Sequence, residues 1–311
     1  MGLRRVIKFG RSSYVLSLPS SWISRNKIVK GDFLEVIEEP GTLIIEAKTA
    51  DHVENKKEIT IFIKDEKEIK AKIVSIYVNN YDIIQIVSPN IAKYSKIIRD
   101  LIRSFMGLEV VEETEKKIII QDFFDIKNIN IHETMQRFNR TLKMMMEDSI
   151  AFMQGKDTYD LIFNKEEDLN RLTFMLFKVL KKALRPKNME ILKLSPQEII
   201  RNWEAVLFIE RVGDEIKRIV RDAVELKNNV KLIELMQMVY DQYNNAMTAY
   251  FKNDIELALI VTLNKRKIPE KADALLSVLN DKQYAKIISK IIAIHSYSRT
   301  LANCVLRFES D

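Results

Sequence analysis

Arg4-Arg5-Val6-Ile7-Lys8-Phe9-Gly10-Arg11-Ser12-Ser13-Tyr14-Val15-Leu16-Ser17-Leu18-Pro19 reads as two short strands around a turn. Apolar residues alternate with Arg and Lys, and Pro19 stands where a helix begins. From Met1 to Gly31 there are seven basic residues: Arg4, Arg5, Lys8, Arg11, Arg25, Lys27 and Lys30. The first carboxylate is Asp32. Two readings of this one-sign block stand side by side. It is the electrostatic footprint of a polyanion reader, or it is a solvated basic face.

The bulk composition narrows the classes around that block. A chain of 311 residues with 47% hydrophobic and 30% charged residues has ample core for roughly two or three domains. Only 7 Gly and 6 Pro favour long helices. The net charge of +6 is mild, so charge is informative only where it is local. No apolar run is long enough for a membrane span, and no apolar leader opens the chain, so a cytoplasmic protein without membrane insertion is expected. One cysteine, Cys304, rules out an internal disulfide or a thiolate cluster. His52, His132 and His295 come with no nucleophile motif and read as ordinary surface or helix histidines.

After the opening strands, Pro19 to Arg25 reads as a short helix, Lys30-Gly31-Asp32 as a turn, and Phe33–Ile37 with Thr42–Glu46 as a hairpin. About 45 residues make a poor monomeric core, so this unit is expected to dimerise. Its order resembles the AbrB/SpoVT swapped-hairpin family, in the archaeal version fused to a PhoU-type phosphate uptake regulator. The matching features run from the basic strand through Gly10-x-Ser12-Ser13-Tyr14-Val15-x-Ser17-Leu18-Pro19, Trp22 and Lys30-Gly31-Asp32 to Gly41-Thr42-Leu43-Ile44-Ile45. Arg11 departs from the family, where a second glycine is expected. The resemblance implies a homodimer whose exchanged hairpins close one β-barrel over residues 1–50. It also implies DNA contacts from Arg4, Arg5, Lys8 and Arg11, with Arg25 and Lys27 flanking.

A polar linker at 51–57 leads to a β-α-β-α-β-β order over 58–125. Its strands are near 59–63, 83–87, 109–111 and 117–120, and its helices lie at 66–80 and after Pro89. This implies a small α/β sandwich acting as a spacer or dimer contact, with a ligand site as the lesser reading; no phosphate-cradling glycine loop interrupts it. From 126 to 311 the segments are long and helically periodic. Six helices are expected near 130–153, 157–184, 196–227, 230–252, 254–278 and 281–308, as two three-helix sets. Ser195-Pro196-Gln197-Glu198 is a capping box for the third. Arg211 and Arg299 sit at comparable points of the two sets, which suggests a duplication. The stripe Met135, Phe138, Leu142, Met145, Phe152 is core filler. The whole chain is then α+β and multidomain.

One chemical constellation stands out. Glu210 and Asp214, at i and i+4, share a helical face close enough to hold a divalent cation, or they are a solvated face with Asp214 paired to Lys217 or Arg218. Gly213 between them costs about 1 kcal/mol relative to Ala, which points to close packing or ligand approach. Glu210-Arg211-Val212-Gly213-Asp214 is similar to a PhoU-domain signature. That family carries four acidic-x-x-x-acidic pairs, some of which bind iron or other metals. The resemblance implies one divalent metal or iron at the first repeat, held by Glu166, Asn170, Glu210 and Asp214, with Asn170 replacing a carboxylate. The second repeat is expected to hold none, because Asn264-Lys265-Arg266-Lys267 is basic and the Arg299 segment lacks both acids.

The implied function is a DNA-binding transcriptional regulator of phosphate uptake, reading DNA with the first unit and sensing with the helical one. The alternative is an adaptor that binds no DNA and docks on a phosphate transporter or signalling kinase. No Glu-x-x-His pair occurs, so a helical di-iron enzyme is not expected.

Overall fold

In a computed structural model of the chain, the structure describes residues 3–39, 41–47, 56–226, 228–279 and 281–308. They divide into two compact units, Met1–Lys56 and Lys57–Asp311.

The first unit holds β1 (Ile7–Phe9), β2 (Ser13–Val15), α1 (Ser20–Arg25), β3 (Leu34–Glu39) and β4 (Thr42–Ala47). Gly10, at φ +70°, takes the left-handed backbone that the three-residue turn from β1 to β2 requires. The register Ile7↔Val15, Lys8↔Tyr14, Phe9↔Ser13 puts Ile7, Phe9 and Val15 on one face and Lys8 with Tyr14 on the other. β3 and β4 pair antiparallel from Leu34↔Ala47 to Glu39↔Thr42. The expected barrel is not closed within one chain: among the described residues β1–β2 and β3–β4 are two separate two-stranded sheets. The physical reason lies in the core. No described residue between Leu3 and Ala47 is buried, with Phe9 69% and Phe33 83% exposed, so nothing inside one chain draws the two sheets together.

The second unit begins with β5 (Glu58–Phe62), α2 (Ile69–Val78), β6 (Ile83–Val87), α3 (Ala92–Ile102), β7 (Leu108–Glu113) and β8 (Lys117–Asp122). The sheet order is β5-β6-β8-β7, with β5 and β6 parallel and the other pairs antiparallel. Ile84 faces Ile120 and Ile86 faces Ile118; all four are fully buried together with Ile69, Ile73, Tyr77 and Ile98. Period-2 alternation thus gives the sheet one covered face.

The helices follow: α4 (Ile131–Met153), α5 (Tyr159–Ala183), α6 (Pro186–Leu192), α7 (Pro196–Asp222), α8 (Val230–Lys252), α9 (Ile255–Leu263), α10 (Lys267–Leu279) and α11 (Lys282–Arg307). α4, α5 and α7 pack together, α8, α9 and α11 pack together, and α7 joins the two sets through α11. The Met135–Phe152 stripe of α4 and the stripe Ala205, Ile209, Val212, Ile216, Ile219, Ala223 through α7 are buried. Ser195 Oγ accepts from Glu198 N at 3.2 Å while Glu198 Oε2 accepts from Ser195 N at 2.7 Å, so the capping box starts α7 as expected.

Three expectations about the helices change. The fifth helix is two helices, α9 and α10. Pro269, third in α10, has no N–H to donate and its ring crowds the carbonyl of Lys265, so the helix breaks at 264–266. α7 stops at Asp222, before Asn228 turns left-handed at φ +65° and Asn229 caps α8. Pro186 opens the unanticipated α6, and Lys193 at φ +52° ends it.

The sheet and the helices of this unit are tied by a buried charge. Lys178 of α5 reaches Asp122 at the end of β8, Nζ to Oδ2 2.6 Å, with side chains 0% and 2% exposed. Its ammonium also donates to Tyr77 O at 3.2 Å and sits 4.2 Å from the centre of the Tyr77 ring. Oδ2 receives no well-aligned donor, so charge rather than hydrogen-bond direction sets this contact. Burial pushes the Lys178 ammonium down, and Asp122 pulls it part of the way back.

The two described histidines, His132 and His295, are helix residues, as read from the sequence. His52 lies outside the described residues. His132 is exposed and bonds Gln136. His295 is buried in α11, with Nδ1 2.6 Å from Gln242 Oε1. Burial first, then the charge of Arg299, lowers its pKa. The unfolded chain takes up this proton near pH ~6.5 and the folded chain only at lower pH. Stability from this group is therefore present above about pH 6.5 and is lost as pH falls through the folded value. Thermal melts at about pH 7.5 and about pH 5.5 should show a drop that shrinks in His295→Gln; an unchanged drop would remove His295 as its source.

Candidate functional site

The basic block lies in the first unit. Arg4, Arg5, Lys8, Arg11, Arg25, Lys27 and Lys30 are all exposed, and among the described residues none forms an ion pair. Lys8 stands on the β1–β2 face opposite the apolar one, Arg11 occupies the turn, and Arg25 closes α1. Among the described residues these seven cations are thus exposed and without ion pairs on one small unit.

The second candidate is the seam between α5 and α7. A Cβ on Gly213 would stand 2.3 Å from Leu169 Cδ2 and 3.7 Å from Leu142 Cδ1. The space of the absent side chain is filled by the end of the Leu169 side chain of α5, which favours the packing reading of Gly213. Gly213→Ala should gain about 1 kcal/mol of helix propensity and lose about 1–3 kcal/mol by displacing Leu169. The expected net is a loss of about 1 kcal/mol in denaturant melts; a net gain would mean that Leu169 swings aside freely.

Close approach brings the four expected residues to one seam. Glu166 of α5 is nearly buried; its Oε1 accepts from Asn170 Nδ2 at 2.8 Å and from the Lys217 ammonium of α7. Asp214 Oδ2 is 3.2 Å from Arg218 Nη2, and Arg218 Nη1 lies 2.6 Å from Glu215 Oε1. The sequence offered Lys217 or Arg218 as the partner of Asp214. Arg218 takes that role, and Lys217 turns to the other helix. Among the described residues Glu210 makes no ion pair. Desolvation first, then the Asp214 carboxylate, raises its pKa, with Glu166 adding to the rise against Arg211 and Arg218.

These side chains do not fit a bound divalent ion as they stand. Asn170 presents an N–H, not its oxygen, to Glu166. Glu166 is paired with Lys217 and Asp214 with Arg218, which leaves Glu210 as the one carboxylate of the set with no ion pair among the described residues. Among the described residues no three His, Cys, Asp or Glu side chains gather as a ligand set.

In the second helical set, Asn264 and Lys267 line a half-open cavity of about 210 Å³ with Asp241 and Gln242 of α8. The two conspicuous arginines do different work. Arg211 lies over Phe208 and Tyr297 of α11, at 5.3 and 5.9 Å. Arg299 Nε donates to Thr262 O of α9 at 3.1 Å. No helix among the described residues is long and apolar enough to cross a membrane.

No family model and no curated protein matches the chain. Among solved structures, the chain is similar to the phosphate transport system regulatory protein PhoU from Streptococcus pneumoniae. The two share 19% identity at a TM-score of 0.47, over 58% of this chain and 95% of that one.

Proposed function

We propose that the chain is a homodimeric DNA-binding regulator, with its first unit completed by a second copy and its helical unit serving as the sensing or docking part. The observation that carries this is the first unit itself: seven cations, unpaired among the described residues, on a β unit that buries none of its described residues. Val6, Ile7, Phe9, Phe33, Val36 and Leu43 are exposed there. Covering side chains of this size is worth roughly 1.5–3 kcal/mol each, and a second copy of the same unit offers the matching surface. In such a dimer every Arg and Lys recurs across a two-fold axis, which suits the repeating phosphates of a duplex. A role in phosphate uptake rests on the likeness of Glu210–Asp214 to the PhoU signature.

Fluorescence anisotropy with duplex DNA at two salt concentrations, together with sedimentation of the free protein, tests this reading. A dimer that binds at low salt and releases at high salt supports it. A monomer, or no binding at low salt, overturns it.

A second reading, an adaptor without DNA binding, is favoured by one observation. α9 is apolar nearly all round, yet Ile260 and Leu263 are 64% and 69% exposed. Such a face suits a protein partner, of which a phosphate transporter or signalling kinase is the type the signature suggests. Full-length protein carrying Ile260→Asn and Leu263→Asn should then lose that partner while keeping its dimer.

A further inference from the structure

We infer that Lys217 is the built-in cation of the α5–α7 carboxylate cluster, its ammonium standing where a divalent ion would otherwise be needed. Three observations converge on this. Gly213 leaves room for Leu169 of α5 against α7, and Lys217, four residues on from Gly213, crosses the seam to Glu166, three residues before Leu169. Glu166 is nearly buried, and its Oε1 takes both Lys217 and the Asn170 amide, so its charge is met without an outside ligand. Asn170 offers an N–H, which a carboxylate accepts and a metal ion does not. The seam is thus closed by a residue of the chain. It behaves as a fixed clamp whose strength does not depend on ion concentration, unlike a metal bridge, whose contribution grows with free metal.

The inference replaces the metal expected from the signature, and it stands whether or not the first unit binds DNA. The test uses full-length protein, metal analysis by mass spectrometry, and thermal melts with and without Mn²⁺. The wild-type chain should carry no stoichiometric metal and show no melting shift with Mn²⁺. Lys217→Gln should melt lower. It should then take up about one Mn²⁺ per chain at the uncovered carboxylates, with a saturable recovery of melting temperature. Adding Glu166→Gln to it should abolish that uptake. Asn170→Asp alone should stay metal-free, because the ammonium is still in place.

A wild-type chain holding about one metal ion, lost in Glu210→Gln or Asp214→Asn, overturns the inference. So does a folded Lys217→Gln that gains no Mn²⁺ binding. If Lys217→Gln fails to fold, the wild-type and Asn170→Asp measurements decide.

Discussion

Replacing Lys178 with Met should destabilise the second unit by about 3–5 kcal/mol, a fall in melting temperature on the order of 10 °C. The size follows from burial. Asp122 is 2% exposed and its carboxylate would lose its one cation. The Phe124 N–H that Asp122 Oδ1 accepts, at 3.0 Å, cannot offset a full charge held away from water. Met matches Lys in length, so packing against Tyr77 is largely retained and lost charge dominates the effect. Adding Asp122→Asn should restore most of the loss, because the amide keeps the Phe124 contact without a charge to neutralise. A double-mutant cycle should therefore show strong coupling between the two positions. Loss of less than about 1 kcal/mol in Lys178→Met would mean that water reaches Asp122 and that the tie between sheet and bundle is weak.

On the proposed DNA-binding function, Arg4→Ala with Arg5→Ala should weaken duplex binding on the order of 100-fold near physiological salt, and it should change the salt dependence as well as the affinity. Each phosphate contact contributes about 0.9 to the slope of log affinity against log salt. A dimer loses two arginines per chain, so the slope should shrink by about 2–4. Neither side chain has a partner among the described residues, so the fold should tolerate the change and the variant should remain dimeric. Weaker binding with an unchanged slope would place the arginines outside the phosphate contacts.

Much of the helical architecture was legible because packing there follows local pattern. The α7 stripe has a period near 3.6, the Ser195–Glu198 box states where the helix begins, and a mid-helix Gly213 between Val212 and Asp214 points to close packing or ligand approach. What escaped depends on partners distant in sequence. Lys178 lies between Phe177 and Val179, where a lone lysine looks like one whose head reaches solvent; only the fold brings Asp122 to it. Lys217 was legible as a neighbour of Asp214 and not as the partner of Glu166, because the crossing distance between α5 and α7 is a tertiary quantity. The break between α9 and α10 had its cause in view at Pro269, but apolar periodicity continues through it. The barrel was expected from two exchanged chains; in one chain the described residues of the first unit form two separate two-stranded sheets.

The ends of the β5-β6-β8-β7 sheet carry unequal risk of sticking to other chains. β7 has a register irregularity between Val110 and Glu112, and it carries Glu109, Glu112 and Glu113. An irregular, charged edge is a poor template for a further strand. β5 has no irregularity and Glu58 as its one charge. It pairs in unbroken register with β6 from Glu58 to Phe62, and Phe62 is 63% exposed. In concentrated or partly unfolded protein, β5 is where cross-chain strand addition should start. A lysine at Thr60 or Phe62 is the change that would blunt it.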